Sequence, residues 1–112
     1  MDGQTLDLAS VTTPFKARYE NHIGGQWVAP KSSRYFENTS PVTGTVLCEV
    51  ARSNAEDIEL ALDAAHAAKD AWGPTDPATR AVMLNKIAQV MEDNLDLLAT
   101  AETWDNGKPI RE

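Results

Sequence analysis

Few residues of this chain are of a type that does chemistry, and their spacing supports little of it. Cys48 is the single cysteine, so one chain can form neither an internal disulfide nor a cysteine cluster for a metal. It alternates with Val46 and Val50, which predicts a core-facing strand position where apolar surroundings keep a thiol protonated and inert. His22 and His66 are far apart, with no cysteine or acidic residue at a metal-ligand spacing. His66 falls mid-helix between alanines and is expected on a flank, while His22 is expected at the opening of a strand. A dinucleotide fingerprint of the Gly-x-Gly-x-x-Gly type is missing, as is a phosphate loop or a nucleophile elbow. Trp27, Trp72 and Trp104 are expected to pack a core. The most polar motif, Asp105-Asn106-Gly107-Lys108, needs no function to explain it, because Asn-Gly is an ordinary helix C-cap.

The elements that would position these residues come in two kinds. The stretch NHIGGQWV (21–28) predicts two very short strands around Gly24-Gly25, a pair that tolerates the positive φ angles of a tight hairpin. A second hairpin is expected from Tyr35–Thr39, the turn SPVTG (40–44) and an alternating strand from Thr45 to Ala51, with Val46, Cys48 and Val50 on one face and Leu47 on the other. The period then changes from two to 3.6. Ser53 to Glu56 predicts a capping box with Ser53 as N-cap, and Ile58, Ala61, Leu62, Ala65, Ala68, Ala71 and Trp72 form an apolar stripe up to the Gly73-Pro74 stop. Asp76-Pro77 restarts a helix whose stripe is Met83, Leu84, Ile87, Ala88, Val90 and Met91. Asp93-Asn94 offers a bend and a new cap, and Leu95, Leu97, Leu98 and Ala101 continue the apolar surface to Gly107.

Charge narrows the partners. Residues 1–53 carry five acids and five bases, whereas residues 54–112 carry twelve acids and five bases and so hold the whole net charge of −7. Such a surface repels a phosphate backbone, so no nucleic acid is expected as partner. The acids read most simply as solvated helix faces. No run reaches the 18 or so apolar residues of a membrane span, and no basic, then apolar, leader opens the chain, so neither a membrane nor a signal peptide is expected. A lone thiol fits the reducing cytoplasm. Residues 1–18 are expected as a flexible polar tail.

Several segments, in order, resemble a known family. SPVTG (40–44), EDIELALDAAHAAKDAW (56–72), LNKIAQVMEDN (84–94) and AETWDNGKPIRE (101–112) are similar to the N-terminal part of the NAD(P)-dependent aldehyde dehydrogenases. The resemblance extends over residues 15–112, and FKARY (15–19), IGGQW (23–27) and Trp104 in the last motif are most similar to the bacterial acetaldehyde dehydrogenases.

That resemblance implies an α/β fold, of which residues 19–112 are an incomplete NAD-binding domain: two short hairpins followed by two or three amphipathic helices. The elements read without the family suggest α+β. It implies a parent enzyme, often a homo-oligomer, that oxidises an aldehyde such as acetaldehyde to the acid with NAD or NADP through a cysteine thiohemiacetal. The nucleophilic cysteine and general-base glutamate would follow Glu112, so Cys48 is not the nucleophile. No catalytic or cofactor-binding residue is expected in this chain, which alone should be inactive. The resemblance further implies a structural monovalent cation held by oxygens from Asn38, Thr39 and Asp105, hard donors suited to such an ion. Asp105 as a cap, or as an ion-pair partner of Lys108, explains the same residue without a cation. The competing reading of the whole chain is a complete, non-catalytic helical scaffold or interaction protein that works through its exposed apolar faces.

Overall fold

The computed structural model describes residues 12–112. Strands come first: β1 (Arg18–Tyr19), β2 (Asn21–Ile23), β3 (Gln26–Val28), β4 (Tyr35–Thr39) and β5 (Val46–Ala51). Three helices follow, α1 (Ala55–Trp72), α2 (Pro77–Asp93) and α3 (Leu95–Asn106). The mixed α/β content and both hairpins agree with expectation. In the β2–β3 hairpin Gly24 and Gly25 sit at φ 60° and 79°, the two positive angles that a twist-matched two-residue turn requires.

The second sheet has the order β1-β5-β4, with β4 antiparallel and β1 parallel to β5. Two residues give no periodicity to read, and β1 had no sequence signal. It is held by side chains instead: Arg18 pairs with Glu49 at 2.6 Å and lies 3.9 Å over the Tyr35 ring, while the Tyr35 hydroxyl donates to Glu20 at 2.7 Å. Of the tail expected over residues 1–18, residues 1–11 lie outside the described residues, and Arg18 belongs to β1.

Alternation along β5 is interrupted. Asn38 pairs with Cys48 but Thr39 pairs with Val46, so Leu47 is the extra residue of a bulge. The bulge puts Val46 out of phase with Cys48: Cys48 is buried, while Val46 is about half exposed. The expected common face of Val46, Cys48 and Val50 is therefore corrected at Val46, whereas Cys48 and Val50 line the same cleft.

The α1 cap is also shifted by one residue from expectation. Asn54, not Ser53, is the N-cap, and Asp57, not Glu56, closes the capping box. Tertiary structure decides this. The Asp57 carboxylate accepts from the backbone N–H of Asn54 at 2.9 Å and from that of Lys31, in the loop after β3, at 3.0 Å. Ser53 donates to Asn21 of β2 instead. Asp76 and Pro77 start α2 as expected. Asn94 breaks the helix, but its side chain donates backward to the Val90 carbonyl and caps nothing on α3.

The described residues enclose little core. Pro30, Cys48 and Ala51 are the buried apolar residues among them, and the buried polar ones are Ser40 and Asp57. The chain spreads over 62 × 39 × 17 Å with a radius of gyration of 18.7 Å, against about 13 Å for a compact domain of this length. The apolar stripes of all three helices are exposed, Leu84 at 66 % and Leu95 at 64 %. Trp27 and Trp72 are likewise exposed, contrary to the core role expected for them: the Lys16 ammonium lies 5.8 Å over the first ring and the Arg80 guanidinium 5.5 Å over the second, and neither covers its ring. Trp104 is half-buried.

Candidate functional site

The end of β4 and the end of α3 meet. Turn chemistry brings the first into place: Ser40 at the start of the 40–44 turn donates its N–H to the Thr45 carbonyl at 2.9 Å, and Gly44 donates back to the Ser40 carbonyl at 2.8 Å. Helix termination brings the second: Gly107 at φ 80° is a left-handed C-cap, its N–H donating to the Thr103 carbonyl. Pro41 and Gly107 lie so close that a Cβ on the glycine would be 3.5 Å from the proline Cγ.

Two of the three residues implicated by resemblance touch across this joint. Asn38 Nδ2 donates to Asp105 Oδ1 at 2.8 Å, although the two are far apart in the chain. Thr39 follows as the last residue of β4. The other explanation for Asp105, an ion pair with Lys108, is not seen. Lys108 donates its backbone N–H to the Asn106 side chain, and the ion pair among the described residues is Arg18–Glu49. One carboxylate oxygen of Asp105 is thus engaged by an amide, which leaves Oδ2 for another partner.

An open cleft of about 480 Å³ lies beside this contact. Asn38, Glu102 and Asp105 give it polar groups, Cys48 and several aromatic and aliphatic side chains the rest. Among the described residues no lysine or arginine lines it. Two carboxylates without a basic neighbour attract a cation and repel a phosphate. The donors are hard oxygens, which suits an alkali-metal ion. A transition-metal cluster is a different matter: among the described residues no three His, Cys, Asp or Glu side chains gather as one. Asn38 and Asp105 thus offer donors of the hard type, and the acidic lining offers no positive partner to a dinucleotide's phosphates.

Cys48 is 5 % exposed in β5, a free but covered thiol. His22 is exposed and meets the Trp27 ring edge-on at 4.9 Å; His66 is exposed on α1. Neither joins the cleft.

Sequence reasoning missed Ser40. Its hydroxyl accepts from the Val42 N–H at 3.1 Å, a serine turn that the SPVTG stretch does advertise. The same hydroxyl donates to the Trp104 carbonyl at 2.6 Å, and no local signal foretells that contact. Among the described residues no helix is long and apolar enough to cross a membrane.

Comparison with known proteins gives a consistent result. The model of the family described as "Aldehyde dehydrogenase family" matches residues 27–112. An aldehyde dehydrogenase of Paracoccus denitrificans is 69 % identical over 99 residues, which are 88 % of this chain and 20 % of that protein. A long-chain-aldehyde dehydrogenase of an Acinetobacter species is 62 % identical over 98 residues, again 88 % of this chain and 20 % of that one. Among solved structures, an indole-3-acetaldehyde dehydrogenase complexed with NAD+ superposes with a TM-score of 0.80 at 36 % identity, covering 86 % of this chain and 20 % of its own. The chain spans about a fifth of the length of the curated relatives it matches.

Proposed function

The chain belongs to the aldehyde dehydrogenase family, and on that premise we propose that it is the N-terminal portion of an enzyme that oxidises a small aliphatic aldehyde, such as acetaldehyde, to the carboxylic acid with NAD or NADP. The observation that carries this reading is the family match over residues 27–112, joined by 69 % identity to one relative over 99 residues. In this proposal a thiolate from polypeptide after Glu112 attacks the aldehyde carbonyl, and a glutamate there activates the water that releases the acid. When bound, the nicotinamide cofactor accepts the hydride. The acidic cleft described above does not suit its pyrophosphate, so we assign no cofactor contact to these residues.

The chain's own contribution is architectural. Its three helices offer apolar faces to the remainder of the cofactor domain, and the end of β4 meets the last turn of α3 where Asn38 touches Asp105; there, with Thr39 next in β4, we place a structural monovalent cation. Carbonyl and carboxylate oxygens hold such an ion by charge alone and leave redox chemistry to other groups. We place the enzyme as a homo-oligomer in the cytoplasm; the lone, free Cys48 supports that compartment. The second reading, a non-catalytic docking protein, draws on the same exposed helices, Ile87 at 57 % and Val90 at 61 %.

Whole protein given acetaldehyde and NAD or NADP should raise absorbance at the reduced-cofactor band, whereas residues 1–112 alone should match a buffer blank. Silence of the whole protein toward short and long aliphatic aldehydes with either cofactor would sink the enzyme reading. Turnover by the 112-residue chain would mean that the nucleophile has been placed wrongly.

A further inference from the structure

We infer that Ser40 is a positioning residue for the cation site, its buried hydroxyl locking the last turn of α3 onto the end of β4 so that Asp105 is presented beside Asn38 and Thr39. The inference rests on the cation reading proposed above and adds to it a residue that does not itself ligate.

Ser40 is 1 % exposed, among the least accessible polar residues described. Every polar group it has is used. Its N–H donates to the Thr45 carbonyl, its carbonyl accepts from Gly44, its hydroxyl oxygen accepts from the Val42 N–H, and its hydroxyl proton goes to the Trp104 carbonyl. The last of these bonds is the informative one. Trp104 lies in the final turn of α3, where carbonyls have no N–H four residues on to receive them. A side chain from elsewhere must fill that role, and Ser40 does so at 2.6 Å.

Chain adjacency converts this bond into site geometry. Ser40 directly follows Thr39, and Trp104 directly precedes Asp105. A hydrogen bond between Ser40 and Trp104 therefore ties together the two backbone segments that carry their ligand-bearing neighbours. The Asn38–Asp105 contact cannot do this alone, because it joins two side chains with rotatable torsions and is solvent-exposed. Pro41 packed against Gly107 closes the joint from the other side.

The test uses the whole protein. Thermal unfolding is followed while potassium or sodium chloride replaces choline chloride at constant ionic strength, and the cation concentration giving half of the rise in Tm is read as an apparent affinity. Asp105→Asn should abolish the rise. Ser40→Ala should keep a rise but require about tenfold more cation, the size of effect usual for a residue that orients a metal ligand. Ser40→Cys preserves volume with a weaker donor, should shift the midpoint in the same direction, and stands in if the alanine variant does not accumulate. Asp57→Ala, which weakens the distant α1 joint, serves as control and should lower Tm without moving the midpoint. A cation-dependent rise in the parent, lost in Asp105→Asn yet with the same midpoint in both Ser40 variants, would overturn the positioning role alone. No cation dependence in the parent would overturn the cation reading and this inference with it.

Discussion

Replacing Asp57 with alanine should open the joint between the β3–β4 loop and α1. The carboxylate is 2 % exposed, and each of its oxygens holds a different backbone amide: Oδ1 that of Lys31 at 3.0 Å, Oδ2 that of Asn54 at 2.9 Å. Hydrogen bonds to a charged acceptor contribute about 1.5–3 kcal/mol each, and removing the acceptor leaves the donors unpaired. Lys31 and Asn54 are exposed as residues, so water can reach their amides once the carboxylate is gone, and the low end applies. The combined loss is then about 2–4 kcal/mol, a large share of the ~5–15 kcal/mol that holds a domain together. Hydrogen–deuterium exchange read by mass spectrometry is the suitable assay, because it reports this joint separately from the rest of the protein. At ~1.4 kcal/mol per factor of ten, the Lys31 and Asn54 amides should exchange on the order of a hundredfold faster in Asp57→Ala. Asp57→Asn is the sharper variant. Its side chain has one acceptor, and its NH2 group would face a second donor, so one of the two amides should stay protected while the other is lost. Equal protection of both amides in Asp57→Asn, or a change under threefold in Asp57→Ala, would refute the assignment of Asp57 as a two-amide clamp.

Two further outcomes are expected. Hydrogen bonds from the Thr79 N–H, and then from the Thr79 hydroxyl, hold the Asp76 carboxyl below its usual value. The contribution of this cap is therefore present above the ordinary carboxylate range and lost as pH falls through the depressed value, so the first turn of α2 should lose amide protection below about pH 4. Asp76→Asn keeps a capping oxygen and should abolish that acid step; an unchanged step in this variant would assign it to another group. Gly107→Ala should cost about 1–2 kcal/mol in denaturant unfolding, since φ 80° is left-handed and disfavours a Cβ. The new methyl would lie at an ordinary 3.5 Å from Pro41, so Gly107→Asn, which tolerates that angle, should recover most of the loss. A loss above about 3 kcal/mol in both variants would point to steric crowding instead.

The local signals were good guides wherever a single turn of chain decides the matter. Gly24-Gly25, Asp76-Pro77, Gly73-Pro74 and Gly107 each act within four residues, and each starts or stops an element as its chemistry dictates. Errors appear where a distant partner intervenes. Ser53 and Glu56 make as good a capping box as Asn54 and Asp57 by spacing alone; the loop amide of Lys31 selects the second. Pairing along β5 is regular only after the bulge at Leu47, a product of pairing with β4 that the strand's own residues do not announce. The helical stripes were read correctly as amphipathic but not as exposed, because periodicity says which face is apolar and nothing about what covers it.

What the amino-acid order determined by itself was the set of elements after β1, most of their boundaries to within a residue or so, and membership of a family whose motifs recur in sequence. Those properties are local, or are written as short strings, and survive without three-dimensional information. Tertiary structure alone decided that Asn38 meets Asp105, that Ser40 reaches across to the Trp104 carbonyl, and that β1 joins β5 in parallel. Such contacts join residues far apart in the chain, and hydrogen bonds of 2.6–2.8 Å depend on backbone positions that no single segment specifies.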